Sequence, residues 1–414
     1  MKQILLQGSS NESGQLIWFG HNVVEIARRY GTPLIVYSLD RIAENYHRLK
    51  NAFEASLDDF SIRYAIKANA NPVILSRISQ LGCGADASSI HEIDLAVRAG
   101  FSSDNISFTP NNISRGEMIE AIDRGVTVNF DSVGQFKMVS DHLPSSVSFR
   151  IKANYGKGEF KGTTTSGHGA KFGELPENAI EGYRKAKEMG CKHFGIHIMA
   201  GSNVREPGHF SKVVSEISDI ALGIESDAGI QFEYIDVGGG FGVPYRVEEK
   251  ALDIDAVVSG IKSALKEKFA TPGRSIPELV IEPGRYLVAD AGVLLGTVYD
   301  IKKHEKNYVG TDVGMNILMR PALYGAYHHI VTASDLNGEA NFMCDITGQI
   351  CENTDRIANN VIISEPRLGD IIAVFNSGAY VSSMSSNYNG RPRPAEVIID
   401  SENHFLSTPA KIQD

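Results

Sequence analysis

The chain has 414 residues, 42% of them hydrophobic and 22% charged, a balance that lets a globular protein bury its own core without a disulfide or metal staple. A net charge of −10 argues against a generally basic nucleic-acid surface, and no apolar run approaches the roughly 18 residues a membrane span needs. Four cysteines, at 83, 191, 344 and 351, form no CxxC pair, so no metal site is expected and the chain reads as reduced and cytoplasmic. The apolar stretch in MKQILLQGSSNESG is too short for a signal peptide.

No internal repeat is evident. In residues 1–35, LIWF and PLIVY are β-like and could add strands to a later β domain. A helical pattern follows over 41–53, with Ile42, Tyr46, Leu49 and Phe53 on one face. Eight strand candidates come next: SIRYAIKA (61–68), GCGADA (82–87), NISFT (105–109), TVNFD (127–131), SVSFRIKA (146–153), HFGIHI (193–198), FEYIDVG (232–238) and ELVIEPG (278–284). Helical patterns separate them. Ser89 with Glu92, and Ser114 with Glu117, read as capping boxes. Residues 154–175 are glycine-rich and polar, too long for an idle connection, and read as a mobile functional loop.

Eight β runs alternating with helices predict a (β/α)8 TIM barrel over residues 36–280. After about 285 the texture changes to short β runs with almost no amphipathic helix. Residues 281–414, with 1–35, are therefore expected to form an all-β domain.

In such a barrel the chemistry sits at the C-terminal strand ends. The first run ends in Lys67 and the second in Asp86. The sixth ends in HIMAGSN, with His197 and the Gly201-Ser202 pair. The seventh ends in GGGFG and the eighth in EPGR, Glu282 to Arg285. Taken singly, each has an ordinary structural explanation: a surface lysine, a tight turn, a strand-end carboxylate. Together they suggest more. A lysine inside an apolar run would be desolvated and could form a Schiff base. Exposed N–H groups of a glycine turn can cradle phosphate. Lysine, phosphate cradle and a carboxylate for a ring nitrogen are the set that pyridoxal phosphate requires.

The motifs YAIKANANP, D-A-S-S-x-x-E-I from Asp86, GIHIMAGSN, DVGGGFGVPY, EPGRYLVADAG, RPALYGAYH, GQICENTD and NSGAYVSSMSSNYNGRPRPAEV fall in one order along the chain. In that order the sequence resembles the fold-type III pyridoxal-phosphate decarboxylases, most of all the diaminopimelate branch, with ornithine and arginine decarboxylases as more distant relatives. The resemblance spans essentially the whole chain. It implies that Lys67 holds the cofactor covalently and that Glu282 keeps its ring nitrogen protonated. Gly238, Gly239, Gly240, Ser202 and Arg285 would bind the phosphate region, and Asp86, Pro283, Gly284 and Tyr380 would contact the cofactor. Arg320 and Tyr324 would hold the distal carboxylate of the substrate, with Arg285 and Tyr380 nearby. Cys351, as proton donor, and Glu352 would be lent across a homodimer interface.

The Cys351-Glu352 pair matches the diaminopimelate branch, where the ornithine enzymes carry Cys-Asp. A zwitterionic distal end needs a cation and an anion, and Arg320 with Glu352 supplies both. One position departs from the pattern: Met199 stands where the family has a histidine stacked on the cofactor ring, with Asn203 for glutamine. A thioether can still pack against a ring. His197 matches the first, non-stacking histidine and reads as structural. Three readings follow. The first is a decarboxylase of meso-diaminopimelate yielding L-lysine. The second is a decarboxylase of a related or carrier-linked amino acid in secondary metabolism, favoured by Met199. The third is a silent regulator of the antizyme-inhibitor kind, opposed by the retained Lys67, Glu282 and Cys351. A fold-type III racemase lacks support, since its tyrosine motif is missing.

Overall fold

The computed structural model describes residues 3–153, 156–167 and 169–411, without the side chain of Lys161. Residues 154, 155 and 168 of the predicted mobile loop lie outside the described residues. The chain divides into two compact units: residues 45–243 with 251–286, and residues 1–44 with 244–250 and 287–414.

The first unit is a closed barrel of eight parallel strands. They are β1 (Phe60–Ala65), β2 (Gly84–Ala87), β3 (Ile106–Phe108), β4 (Thr127–Phe130), β5 (Ser146–Arg150), β6 (His193–His197), β7 (Tyr234–Asp236) and β8 (Glu278–Ile281). Each pairs with the next in chain order, and Ile281 of β8 meets Ile62 of β1 to close the ring. All eight predicted runs are therefore barrel strands, each shorter than its run, and in all but the second the last residues of the run turn out of the ladder. The chemistry below is carried by these turn residues together with the last residues of the strands.

Local signals position the crossover helices. Ser114 and Glu117 form a complete capping box on helix Arg115–Asp123. Ser89 caps Ile90–Ala99, but the Glu92 carboxylate turns to the N–H and hydroxyl of Ser88, so that box is only half made. Gly100, at φ +99°, ends the helix. Outside the barrel wall, Phe130, Phe136, Phe149 and Tyr183 pack with centroids 4.8–5.9 Å apart. Each buried ring of this kind contributes on the order of 1.5–3 kcal/mol by leaving water. The glycine-rich insertion is tied down at several points. Lys157–Gly158 pairs with Gly201–Ser202, and the Gly173 N–H donates to Asp131 at 3.0 Å.

The second unit holds a nine-stranded sheet and a smaller three-stranded one. Gly292–Lys303 is its spine. The first half of that strand pairs with Leu34–Ser38 on one side and Ile371–Val374 on the other; its second half pairs with Asn307–Thr311. PLIVY thus joins the large sheet as expected, whereas LIWF lies in the small sheet with Ser9–Glu12 and His21–Asn22. Leu16, Trp18, Val36, Val293, Phe375 and Val397 share one core. Arg356–Ser364 and His404–Thr408, like Ser9–Glu12 and His21–Asn22, are strands that the sequence pattern does not predict. Among the described residues no helix is long and apolar enough to cross a membrane.

Candidate active site

The register of the barrel brings the strand-end groups together. Lys67 lies in a 3-10 turn, Ile66–Ala68, directly after β1. Asp86 of β2 stands opposite Ala65, and Lys67 Nζ reaches Asp86 Oδ2 at 2.8 Å. The desolvation expected for this lysine is not found. Its side chain is 46% exposed, because the turn lifts it off the strand end, and its charge is met by a carboxylate. Asp86 is the buried partner, 1% exposed. Burial and the nearby negative charge of Glu282 push its carboxyl up to about 6, against the pull of Lys67. Asp86 Oδ1 has no partner among the described residues.

On the other side of the lumen, His197 ends β6 opposite Asp236 of β7, and Asp236 stands opposite Val280 of β8, two residues before Glu282. All three side chains are buried. His197 Nε2 lies 3.4 Å from Glu282 Oε2, and one ligand-type atom from each residue fits within 4.8 Å. Burial would raise the Glu282 carboxyl, but the charges of His197 and Lys67 outweigh it and hold the group near 2, as carboxylate. Asp236 moves the other way: burial and the adjacent Glu282 push it well above the carboxylate range. Two carboxyls this close do not both ionise. His197 Nδ1, Asp236 Oδ2 and Glu282 Oε1 have no partner among the described residues.

The glycine turn locks onto this cluster. A Cβ on Gly239 would stand 2.4 Å from the Glu282 carbonyl oxygen, and Gly238 adopts φ +67°, so both positions require glycine. The Glu282 N–H donates to the Gly238 carbonyl at 2.8 Å. The Gly238 N–H donates to Asp236 Oδ1 at 2.9 Å, and the Gly239 N–H donates to Met199 Sδ at 3.2 Å. These two glycines therefore contribute close approach rather than free donors. Among the described residues the Gly240 N–H meets no acceptor and is a donor left for an anion. Ser202 lies on the adjoining Gly201–Ser202 strand, and the Val204 N–H holds the Gly240 carbonyl at 2.8 Å. The Pro283 carbonyl accepts the Ala65 N–H at 3.3 Å, and Gly284 leaves room for Ala65 and Ala68, so the EPG turn packs on the lysine turn. Arg285 opens the short helix Arg285–Val288.

The second unit carries the remaining predicted residues. Arg320, in helix Met319–Tyr324, is 2% exposed. Its Nη1 donates to His328 Nε2 at 2.8 Å, and its guanidinium lies over the Tyr245 ring at 4.8 Å. His328 Nδ1 lies 2.9 Å from the Phe375 carbonyl, so the ring donates there and accepts from Arg320 as a neutral tautomer. Among the described residues no carboxylate pairs with Arg320, so the structural ion pair that would explain it otherwise is missing. Tyr324 ends the same helix. Tyr380 is held at φ +59°, a conformation that costs a non-glycine residue on the order of 1 kcal/mol and clusters at functional sites. Cys351 is exposed, and its N–H donates to Asn389 Oδ1 at 3.0 Å. The Glu352 carboxylate accepts from the Tyr388 hydroxyl and, at 3.0 Å, from Thr354 Oγ1.

Several residues here escaped the sequence argument. Asp236 heads the DVGGGFGVPY motif, but the sequence alone gives it no role. His197, read as structural, touches the key carboxylate. Arg150, buried at the end of β5 over the Phe172 ring, lies in the fifth run, and Tyr388, Asn389, His328 and Tyr245 lie inside the quoted motifs, but none of them has a role assigned by the sequence alone. An open cleft of about 860 Å³ lies at the opposite, N-terminal strand ends, lined by Lys192, Phe232 and Ile276 among others, and holds none of the predicted groups.

The family model for the pyridoxal-binding domain of pyridoxal-dependent decarboxylases matches residues 39–289. A diaminopimelate decarboxylase of Thermoplasma acidophilum is 44% identical over 92% of this chain and 90% of its own. One from Methanothermobacter thermautotrophicus is 41% identical, covering 94% and 91%. The crystal structure of the Methanocaldococcus jannaschii diaminopimelate decarboxylase with L-lysine superposes with a TM-score of 0.88 at 30% identity, covering 98% of this chain and 95% of that one.

Proposed function

Because the chain belongs to the family of pyridoxal-dependent decarboxylases, we propose that it binds pyridoxal phosphate and converts meso-diaminopimelate to L-lysine and CO2. The observation that carries the substrate is Arg320: a buried guanidinium held by a neutral histidine and an aromatic face, with no carboxylate of its own. Such a charge is stabilised by an anionic ligand, and the far end of diaminopimelate brings one. A diamine precursor would not.

The barrel residues fit the cofactor. Lys67 offers an amine at a strand end, Glu282 an ionised carboxylate with a spare oxygen for a ring N–H, and Gly240 a spare N–H for phosphate. Ser202 and Arg285 complete the phosphate set, with Gly238, Gly239, Pro283 and Gly284 shaping its walls. Asp86 orients Lys67, and Met199 and Tyr380 border the ring. Pyridoxal phosphate supplies an electron sink for the pair left on the α-carbon when CO2 departs. Glu282 keeps that sink effective by holding the proton at the ring nitrogen. Arg320 and Tyr324 bind the distal carboxylate, and Glu352 the distal ammonium. Cys351 Sγ delivers the proton to the α-carbon. Cys351 and Glu352 act across the interface of a homodimer, which accords with their exposure here. A cytoplasmic location belongs to the same reading.

The test is CO2 release by purified protein with pyridoxal phosphate on meso-diaminopimelate, ornithine, lysine and arginine. Turnover of diaminopimelate alone is expected. No turnover of it beside clear turnover of another would refute the assignment. Met199 favours a second reading, decarboxylation of a related amino acid, and the same panel detects it. Retained Lys67, Glu282 and Cys351 weigh against a silent regulator.

A further inference from the structure

Among the described residues, Asp236 is a buried acid at the lumenal strand ends that the reaction as described does not use. Its two oxygens face different tasks. Oδ1 accepts the Gly238 N–H at 2.9 Å and so fixes the start of the glycine turn. Oδ2 has no partner among the described residues, and one carboxylate oxygen of Asp236 lies within 4.8 Å of a ligand-type atom of Glu282 and of His197. His197 already meets one oxygen of Glu282, at 3.4 Å. The charged groups acting on Asp236 are Glu282, Arg63 and Arg150, with His197 beside it in the ladder. The charge of Arg63 favours an ionised Asp236, but among the described residues neither arginine forms an ion pair with it: Arg63 donates to Ser107 and Arg150 lies 3.9 Å from Asp131. As two carboxylates, Asp236 and Glu282 would repel in a buried space and neither could donate. A proton on Asp236 turns that repulsion into a hydrogen bond.

We propose that Asp236 is a positioning residue that works as a neutral carboxylic acid, accepting the Gly238 N–H with Oδ1 and donating its Oδ2–H to Glu282. One side chain thereby couples the turn that approaches the phosphate to the carboxylate that serves the ring nitrogen. Asp236 never touches substrate; it sets where Glu282 points and supports its ionised state. This inference rests on the reading that Glu282 holds the ring-nitrogen proton.

Asparagine can reproduce both bonds, since its carbonyl accepts from Gly238 and its amide donates to Glu282, but it cannot carry a negative charge. The experiment compares full-length wild type, Asp236→Asn, Asp236→Ala and Glu282→Gln. Affinity for pyridoxal phosphate, the pH-dependent absorbance of the bound cofactor, apoprotein melting, kcat and KM are measured for each. Asp236→Asn is expected to keep cofactor affinity and kcat within about threefold and to leave the absorbance spectrum unchanged. Asp236→Ala is expected to lose roughly ten- to a hundred-fold in cofactor affinity and in kcat, with KM little changed, as when a bond to a charged group is removed. An Asp236→Asn variant as damaged as Asp236→Ala, or unable to fold, overturns the proposal, because the negative charge would then be what matters. So does an Asp236→Ala variant indistinguishable from wild type. Glu282→Gln separates the premise: if it leaves the absorbance–pH profile and kcat intact, the ring-nitrogen reading fails whatever Asp236 does.

Discussion

Arg320→Met removes the guanidinium while keeping an unbranched apolar stem in its place. In the folded protein the change deletes the bond to His328 at 2.8 Å and the stack on Tyr245 at 4.8 Å. Together these cost about 2–3 kcal/mol. That loss is opposed by no longer burying an unneutralised charge at a site only 2% exposed, so the variant should fold with a modest change in Tm. Binding is affected more. A substrate carboxylate left buried and unpaired costs about 2–5 kcal/mol, roughly thirty- to several-thousand-fold in kcat/KM. The assay is kcat/KM for meso-diaminopimelate together with inhibition by L-lysine and by cadaverine, which lacks the carboxylate. The L-lysine inhibition constant should rise in parallel with the lost kcat/KM, and that of cadaverine should stay near its wild-type value. Equal weakening of both inhibitors would show that Arg320 shapes the site without reading a carboxylate, and would remove the main support for the substrate.

Three further outcomes are expected. Lys67→Ala should fold normally, since the side chain is half exposed, yet incorporate no cofactor after borohydride reduction; incorporation at wild-type level would mean another lysine holds it. Tyr388→Phe removes the hydroxyl bond to Glu352 and should raise KM for meso-diaminopimelate several-fold with little change in kcat; an unchanged KM would show that Glu352 needs no brace. Asp86 has a folded-state pKa raised from 3.8 to about 6, so its neutral form stabilises the apoprotein fully below about pH 4 and that stability is lost as pH rises through 6. The stability of Asp86→Asn minus that of wild type should therefore climb by roughly 3 kcal/mol between pH 4 and 7 in apoprotein melts, and a flat difference would refute the burial argument.

How much of this was written in the sequence depends on the kind of information each feature needs. Strand ends were legible because a parallel barrel buries both faces of each strand, so its runs are largely apolar and a charged residue at or just past the end of one stands out. Lys67, Asp86 and Glu282 stand out for that reason. Arg356–Ser364 was hidden because it is a half-exposed strand whose Asn359-Asn360 pair, with Asn360 at φ +52°, imitates a loop. Asp236 was hidden for the opposite reason: it ends a three-residue strand within a longer run that looked continuous, and its meaning comes from cross-strand register.

The glycine turn shows the limit most clearly. Its composition suggested a row of backbone donors for phosphate, and glycine is indeed obligatory there. The direction of each N–H, however, is set by side chains from other strands: Asp236 takes the first and Met199 the second. Met199 thus occupies its position partly as an acceptor for the turn, through a sulfur that a histidine would replace with a ring. The departure from the family pattern is consequently coupled to the backbone of the phosphate site as well as to the face of the cofactor. A change at residue 199 should be felt first in cofactor affinity, before any effect on which amino acid is decarboxylated.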